Sequence, residues 1–169
     1  AARTLGLEPR IVTQVVRELM GAAGGAGMIG GQLLDLYGEG RPLSLAELER
    51  IHRLKTGALI TVSVRLGGLA AGTSQARMAA LTQYGDAIGL AFQIADDVLD
   101  VTATTDQLGK TAGRDIALAK STYPALLGID GAISRAEALV EEGCAALSAT
   151  GLLTPQLEYL ARFIVTRRS

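Results

Sequence analysis

Gly89-Leu90-Ala91-Phe92-Gln93-Ile94-Ala95-Asp96-Asp97-Val98-Leu99-Asp100-Val101 sets three carboxylates close together in a run that is otherwise almost wholly apolar. On a helix with Asp96 at zero, Asp100 falls at about 40°, Gln93 at about 60° and Asp97 at about 100°. Gly89 and Gly85 lie on that same face, one and two turns earlier. Such a helix is costly for the fold alone. Asp is a poor helix former, Asp96 and Asp100 are a like-charge i,i+4 pair, and the macrodipole disfavours anions near a helix C-terminus. The apolar arc is wide enough that the helix has to be mostly buried, so the carboxylates line a cavity and need a positive partner. Carboxylate oxygens with no His or Cys beside them suit a hard cation such as Mg²⁺ better than zinc. A solvated acidic face, salt-bridged to neighbouring helices, is the competing reading. These residues leave both open.

Outward from this stretch, the apolar pattern keeps a helical period. Ile11, Val15, Val16, Leu19 and Met20 form one stripe, and Leu45, Leu48, Ile51 and Leu54 another. Pro9 suits a first turn, and a helix from there is expected to run to about Tyr37, ended by Gly38 and Gly40. Ser44 and Glu47 form a capping box for a second helix that passes Lys55 and reaches about Leu69. Its stretch Leu59–Leu66 is the best strand candidate, but helical segments flank it. A third helix is expected from Ser74 to Val101, then a loop over Thr102–Gly113. Thr122-Tyr123-Pro124 opens a short helix, followed by helices over Ile129–Thr150 and Thr154–Arg167. No linker or repeat interrupts the chain, which reads as one all-α unit. Glycine is frequent for a helical protein, at 21 residues. Gly30, Gly31, Gly57, Gly85 and Gly89 fall inside expected helices, where each costs about 1 kcal/mol relative to Ala. Close approach of another helix or of a ligand explains that cost.

Composition removes several function classes. Lys+Arg number 16 and Asp+Glu 17, a formal net charge of −1, and Trp is absent. No basic field or stacking platform for nucleic acid is present. The apolar share of 49% excludes a disordered chain. The longest uncharged stretch, Leu19–Leu34, is glycine-loaded and shorter than the roughly 20 apolar residues of a membrane span. One cysteine, Cys144, fits a reducing, cytoplasmic setting.

Cationic segments flank the acidic helix. Lys55-Thr56-Gly57 interrupts an apolar helix with a cation and a hydroxyl, which suits a phosphate contact, although from this tripeptide alone a snorkelling lysine is the better reading. Gly109-Lys110-Thr111-Ala112-Gly113-Arg114-Asp115 lacks the spacing of a P-loop. A flexible lysine-bearing loop of this kind can close over a diphosphate, and Lys120 follows, but taken singly each lysine reads better as a solvated surface residue. Gln32 and Asp35 share a helix face. His52, the single histidine, lies between arginines and reads as a surface residue, not a catalytic base. No Ser/His/Asp or Cys/His arrangement emerges.

Taken in order, Gly30-Gly31-Gln32-Leu33-Leu34-Asp35-Leu36, Lys55-Thr56-Gly57, Phe92-Gln93-Ile94-Ala95-Asp96-Asp97-Val98-Leu99-Asp100, Gly109–Asp115 and Lys120-Ser121-Thr122-Tyr123-Pro124 resemble the trans-isoprenyl diphosphate synthases, the short-chain farnesyl and geranylgeranyl diphosphate synthase family. The resemblance spans nearly the whole chain. It implies an all-α isoprenoid-synthase-type bundle around an apolar cavity, a homodimer in the intact protein, and two substrates, an allylic diphosphate and isopentenyl diphosphate. Asp96, Asp97 and Asp100 match the family's second aspartate-rich motif, which binds Mg²⁺ bridging to the allylic diphosphate. Lys55 and Lys110 match lysines that bind that diphosphate, and Lys120 supports the closed loop. Thr56 and Gln93 match residues beside the developing carbocation. Gln32 and Asp35 match polar residues lining the site, and Phe92 joins the substrate-binding set. Arg167-Arg168 resembles basic tails that approach the homoallylic diphosphate.

The family also carries a first motif, DDxxxxD or a close variant, with arginines after it, and an upstream Gly-Lys and Arg set. Neither is found, and the chain opens on Ala1. The expectation is that residues 1–169 are the C-terminal portion of one helical synthase domain, incomplete because N-terminal helices are absent. Half of the metal clamp is then lacking, the chain alone is inactive, and an apolar wall is left open. A terpene cyclase of the same fold is a second reading, disfavoured by Lys55, Lys110 and Lys120-Ser-Thr-Tyr-Pro. A non-catalytic helical partner regulating a full-length synthase is a third. An Ala/Gly-rich scaffold with an acidic patch is the fourth.

Overall fold

A computed structural model describes residues 6–119 and 121–167, with 103–119 described by their backbone. Among the described residues seven α-helices follow one another: α1 (Pro9–Ala23), α2 (Met28–Gly38), α3 (Leu45–His52), α4 (Ala58–Ala70), α5 (Gln75–Ala119), α6 (Tyr123–Ser148) and α7 (Pro155–Thr166). A π-helical turn, Arg53–Gly57, joins α3 to α4 without a break. No strand occurs among the described residues, and Leu59–Leu66 lies within α4. The fold is all-α, as the periodicity predicts.

The helix starts follow the cap chemistry. Ser44 Oγ accepts from the Glu47 amide at 3.3 Å, while Glu47 accepts from the Ser44 amide at 2.9 Å, so the capping box is complete. Thr122 and Thr154 each accept from the amide three residues on, both at 3.3 Å, with a proline in the first turn. Gly72 ends the α4 segment with φ of 63°, a conformation open to glycine at no steric cost. Gly128, with φ of 75° and ψ of 164°, breaks α6 after Leu127. This divides the short opening helix from the long one, as the sequence suggests.

Two boundaries differ from expectation. The helix begun at Pro9 does not reach Tyr37. It stops at Ala23, and the chain turns through Gly24–Gly27 before α2. Here the backbone doubles back so closely that a Cβ on Gly27 would sit 2.0 Å from the Ala22 carbonyl oxygen. Clustered glycines hold a helix weakly and allow this contact. Nor does a loop open at Thr102, because the α5 backbone stays helical through Ala119. Gly109 and Gly113 are isolated, and an isolated glycine weakens a helix without ending it. The side chain of Lys110, with those of its neighbours from Gly109 to Asp115, lies outside the described residues, as do Lys120 and Arg168.

The core is formed chiefly where α5 meets α6. Leu90, Ala91 and Ile94 of α5 and Ala132 and Leu147 of α6 are fully buried. Ala161 and Ile164 of α7 and Leu48 and Ile51 of α3 join the same cluster. Tyr84, buried in α5, donates its hydroxyl to the Leu157 carbonyl at 2.8 Å and so ties α7 down. Cys144 sits in this core, unpaired with any other cysteine. No helix among the described residues is long and apolar enough to cross a membrane.

Candidate functional site

Glycines set the geometry of the site. Gly31 of α2 lies against the backbone of the π-helical turn, where an added Cβ would be 2.2 Å from the Lys55 nitrogen. Gly89 of α5 meets the same turn, with 2.7 Å from its would-be Cβ to Gly57 Cα. One turn earlier, Gly85 faces Thr61 Cα at 2.6 Å. Thus α2 and α5 both close on one short segment with no room for a methyl group. For Gly31, Gly85 and Gly89, the cost of glycine in a helix is explained by helix–helix approach. The Lys55-Thr56-Gly57 segment is therefore held between the helix that carries Gln32 and Asp35 and the helix that carries Phe92, Gln93 and the acidic cluster.

Lys55 Nζ donates to Asp35 Oδ2 at 2.6 Å, with both side chains about two-thirds or more covered. Gln32 is exposed on the same helix, and Thr56 is half-buried. On α5, the Gln93 amide donates to Asp96 Oδ2 at 3.2 Å. The other Asp96 oxygen accepts from the Arg167 guanidinium, just past the end of α7. That guanidinium also lies over the Phe92 ring, 4.2 Å from its centroid, a cation–π contact. Burial pushes the Asp96 carboxyl above the usual range, Asp100 and Asp97 add to this, and Arg167 opposes it. A cavity of 190 Å³ adjoins, lined by Ala95, Val98, Leu99, Ile133 and Arg167 among others. A larger cleft of 670 Å³ runs between α2 and α3 past Leu33, Tyr37, Arg50 and Arg53, and among the described residues none of the predicted site residues lines it.

Asp97 points into a different environment. Its Oδ2 accepts from His52 Nε2 at 3.2 Å and from the Tyr123 amide at 3.0 Å. The His52 ring stacks on Tyr123 at 5.9 Å between centroids and an interplanar angle of 14°. The Tyr123 hydroxyl donates to Glu49 at 2.6 Å. The expectation that His52 is a surface residue is therefore wrong: it is buried, at 7% exposure. Its position supplies the reason. Leu48, Ile51, His52 and Lys55 follow the i, i+3, i+4, i+7 spacing of an inward face.

Asp100 is exposed. Among the described residues no three His, Cys, Asp or Glu side chains are gathered as a metal-binding group. The structure thus pairs Lys55 with Asp35, Gln93 and Arg167 with Asp96, and His52 with Asp97. The Arg167 pairing has no local signal in the sequence, since its partner lies 71 positions away.

This all-α bundle, with its aspartate-rich helix packed on a lysine-bearing turn, has the isoprenoid-synthase fold. Residues 9–146 match the family model described as polyprenyl synthetase, and the chain belongs to that family, the trans-isoprenyl diphosphate synthases. It is 49% identical over 157 residues to the farnesyl diphosphate synthase of Escherichia coli (strain K12), covering 90% of this chain and 52% of that protein. The crystal structure of geranylgeranyl pyrophosphate synthetase from Pyrococcus horikoshii Ot3 superposes with a TM-score of 0.78 at 28% identity, covering 96% of this chain and 61% of that one. A geranyltransferase from Helicobacter pylori, complexed with magnesium and isoprenyl diphosphate, gives 0.74 at 34% identity, covering 94% and 52%. The chain spans about half the length of the curated relatives it matches.

Proposed function

We propose that this chain is the second-aspartate-motif portion of a Mg²⁺-dependent trans-prenyltransferase that condenses an allylic diphosphate with isopentenyl diphosphate. In this reading residues 1–169 form the C-terminal portion of one helical domain, which pairs as a homodimer in the cytoplasm. What carries the reading is the glycine seam, which locks the Lys55 turn between the helices bearing Asp35 and Asp96.

By its chemistry the donor set suits a hard divalent cation, since Asp96, Asp97 and Asp100 offer carboxylate oxygens, although the three are not gathered around one point here. These three residues would hold Mg²⁺, which when bound offsets the negative charge of a departing diphosphate. Lys55 leaves Asp35 to bind that diphosphate, which Lys110 also binds in this reading, and Lys120 supports the segment. Thr56 Oγ1 and the Gln93 amide oxygen face the allylic carbon as positive charge develops there. Gln32 and Asp35 orient polar groups around the lysine, and Phe92 lines the apolar side. The allylic C–O bond breaks, the isopentenyl double bond attacks the allylic carbon, and the proton lost from the carbon next to the resulting tertiary cation goes to the released diphosphate as the new double bond forms. No protein nucleophile is required.

The test is Mg²⁺-dependent binding of a bisphosphonate analogue by the 169-residue chain. Binding that weakens at least tenfold in both Asp97→Ala and Lys55→Ala supports the reading. Binding indifferent to Mg²⁺ and to both substitutions refutes it. The chain by itself is expected to show no condensation, since one acidic wall is half of the clamp. Turnover by a purified, mass-verified sample would overturn that expectation.

A further inference from the structure

We infer that Phe92, Gln93 and Asp96 form a receptor for a guanidinium-type organic cation with a short apolar body, and that Arg167 occupies it in this structure as a tethered stand-in. The inference goes beyond the function proposed above and involves no metal ion.

A guanidinium is planar, always charged and weakly hydrated, so it is held well by an aromatic face with a carboxylate beside it. Both stand on one turn of α5. The Arg167 guanidinium donates to Asp96 Oδ1 and lies 4.2 Å from the centroid of the Phe92 ring. The other Asp96 oxygen accepts from the Gln93 amide at 3.2 Å, which steadies the carboxylate. With Asp96 at zero on the helix, Phe92 falls at about −40°, Leu99 at about −60° and Ala95 at about −100°. Carboxylate, ring and the wall made by Leu99 and Ala95 therefore form one continuous arc. That wall belongs to the 190 Å³ cavity, to which Ile133 of α6 and Val165 of α7 add apolar lining, and Arg167 is the one charged residue on it. A cationic head on Asp96 and Phe92 thus has an apolar space beside it for its body.

A plain strut between α7 and α5 accounts for these contacts less well. Tyr84 already ties α7 down through the Leu157 carbonyl, and Ala161 and Ile164 bury its inner face. Arg167 lies past the last turn of that helix. Its Nε is buried with no hydrogen-bond partner among the described residues, and a covered donor left unmet is costly. The end of α7 dictates how this guanidinium sits, so one donor is satisfied and another is not. A free cation of the same kind has no such tether and can turn its donors onto Asp96.

The experiment uses the 169-residue chain without divalent cation, with isopentylguanidinium as the probe. Calorimetry reads the affinity, and carbon-13-labelled phenylalanine reads the contact. Phe92 and Phe163 are the two phenylalanines, so Phe163→Leu assigns their ring signals. A tethered group competes as if present at about millimolar concentration. Arg167→Ala should therefore bind the probe at least about tenfold more tightly than wild type, with the Phe92 signal moving. In the Arg167→Ala chain, Asp96→Asn should then weaken binding at least about tenfold and Phe92→Leu at least about threefold. The neutral isostere isopentylurea should bind at least about tenfold more weakly than the guanidinium. Equal affinity in wild type and Arg167→Ala overturns the inference, since Arg167 then occupies nothing. Equal affinity for the urea, or no loss in Asp96→Asn, also overturns it, because the cavity then takes an apolar body alone. Should Arg167→Ala fail to fold, Arg167→Gln, which keeps most of the stem without the charge, gives the same comparison. No magnesium or diphosphate is present, so a negative result here leaves the bisphosphonate test of the proposed function to stand or fall by itself.

Discussion

α5 and α1 both carry aliphatic stripes at helical spacing, yet the structure treats them in opposite ways. In α5, Leu90, Ala91 and Ile94 are inaccessible to solvent. In α1 no residue is buried, and Val16 and Met20 are 53% and 65% exposed. α2 continues the pattern, with Tyr37 at 71% and glycines as its buried residues. Periodicity therefore tells that a helix has a face to cover. It does not tell what covers it. The α5–α6 half satisfies its stripe internally. The α1–α2 half holds on through polar contacts, with Glu18 on Arg65 at 2.8 Å and Arg65 on Thr82 at 2.6 Å, and through the glycine contact of Gly31.

This contrast can be broken in order of expected effect. Ile94→Ala should cost about 2–5 kcal/mol in a denaturant titration, because the packed surroundings cannot collapse into the space. A cost under 1 kcal/mol would mean that α5 is not the core. Gly31→Ala should cost about 1–3 kcal/mol by overpacking, since the methyl meets main chain rather than a flexible side chain. The same variant should loosen Lys55 from Asp35, visible as faster amide exchange in α2. Wild-type exchange rates there would show that the seam is slack.

The next prediction concerns pH. The Arg65 hydrogen bond, with lesser help from Gln14, holds the Glu18 carboxyl below the usual carboxylate range against the opposing effect of burial. A group lowered in the folded state contributes fully above its unfolded value and loses that contribution as pH falls through its folded one. Acidification into and below the ordinary carboxylate range should therefore release α1 from α4 before the core melts, by about 1 kcal/mol at this partly exposed pair. Hydrogen exchange along α1 should rise in that window in wild type and be flat in Glu18→Gln. Val16→Ser, last, should change stability by no more than about 0.5 kcal/mol while reducing binding of an apolar dye. Dye binding unaffected by this change and by Met20→Ser would place the open apolar surface elsewhere.

Local chemistry made much of this fold legible. Ser44 with Glu47, Thr122 with Pro124 and Thr154 with Pro155 each mark a helix start that the structure reproduces, because caps act within a few residues. The helical character of Leu59–Leu66 followed from its neighbours. Boundaries governed by glycine were not legible. Four clustered residues from Gly24 to Gly27 end a helix, whereas Gly109 and Gly113 do not, and the difference lies in spacing and tertiary support. In the site, the helix face shared by Gln93 and Asp96 was readable from 3.6-residue geometry. The partners of Asp97 were not, because His52 and Tyr123 arrive from other helices. His52 did leave a trace in its spacing from Leu48, which the flanking Arg50 and Arg53 obscured.

Cys144 gives the buried half of the molecule a built-in clock. It is 4% exposed, and burial raises its thiol above the usual value. An alkylating reagent attacks the thiolate, so modification has to wait for the α5–α6 interface to part. The labelling rate of this one sulfur therefore counts openings of the core and ignores fraying of α1. A single reagent, with no engineered probe, can time one half of the protein independently of the other.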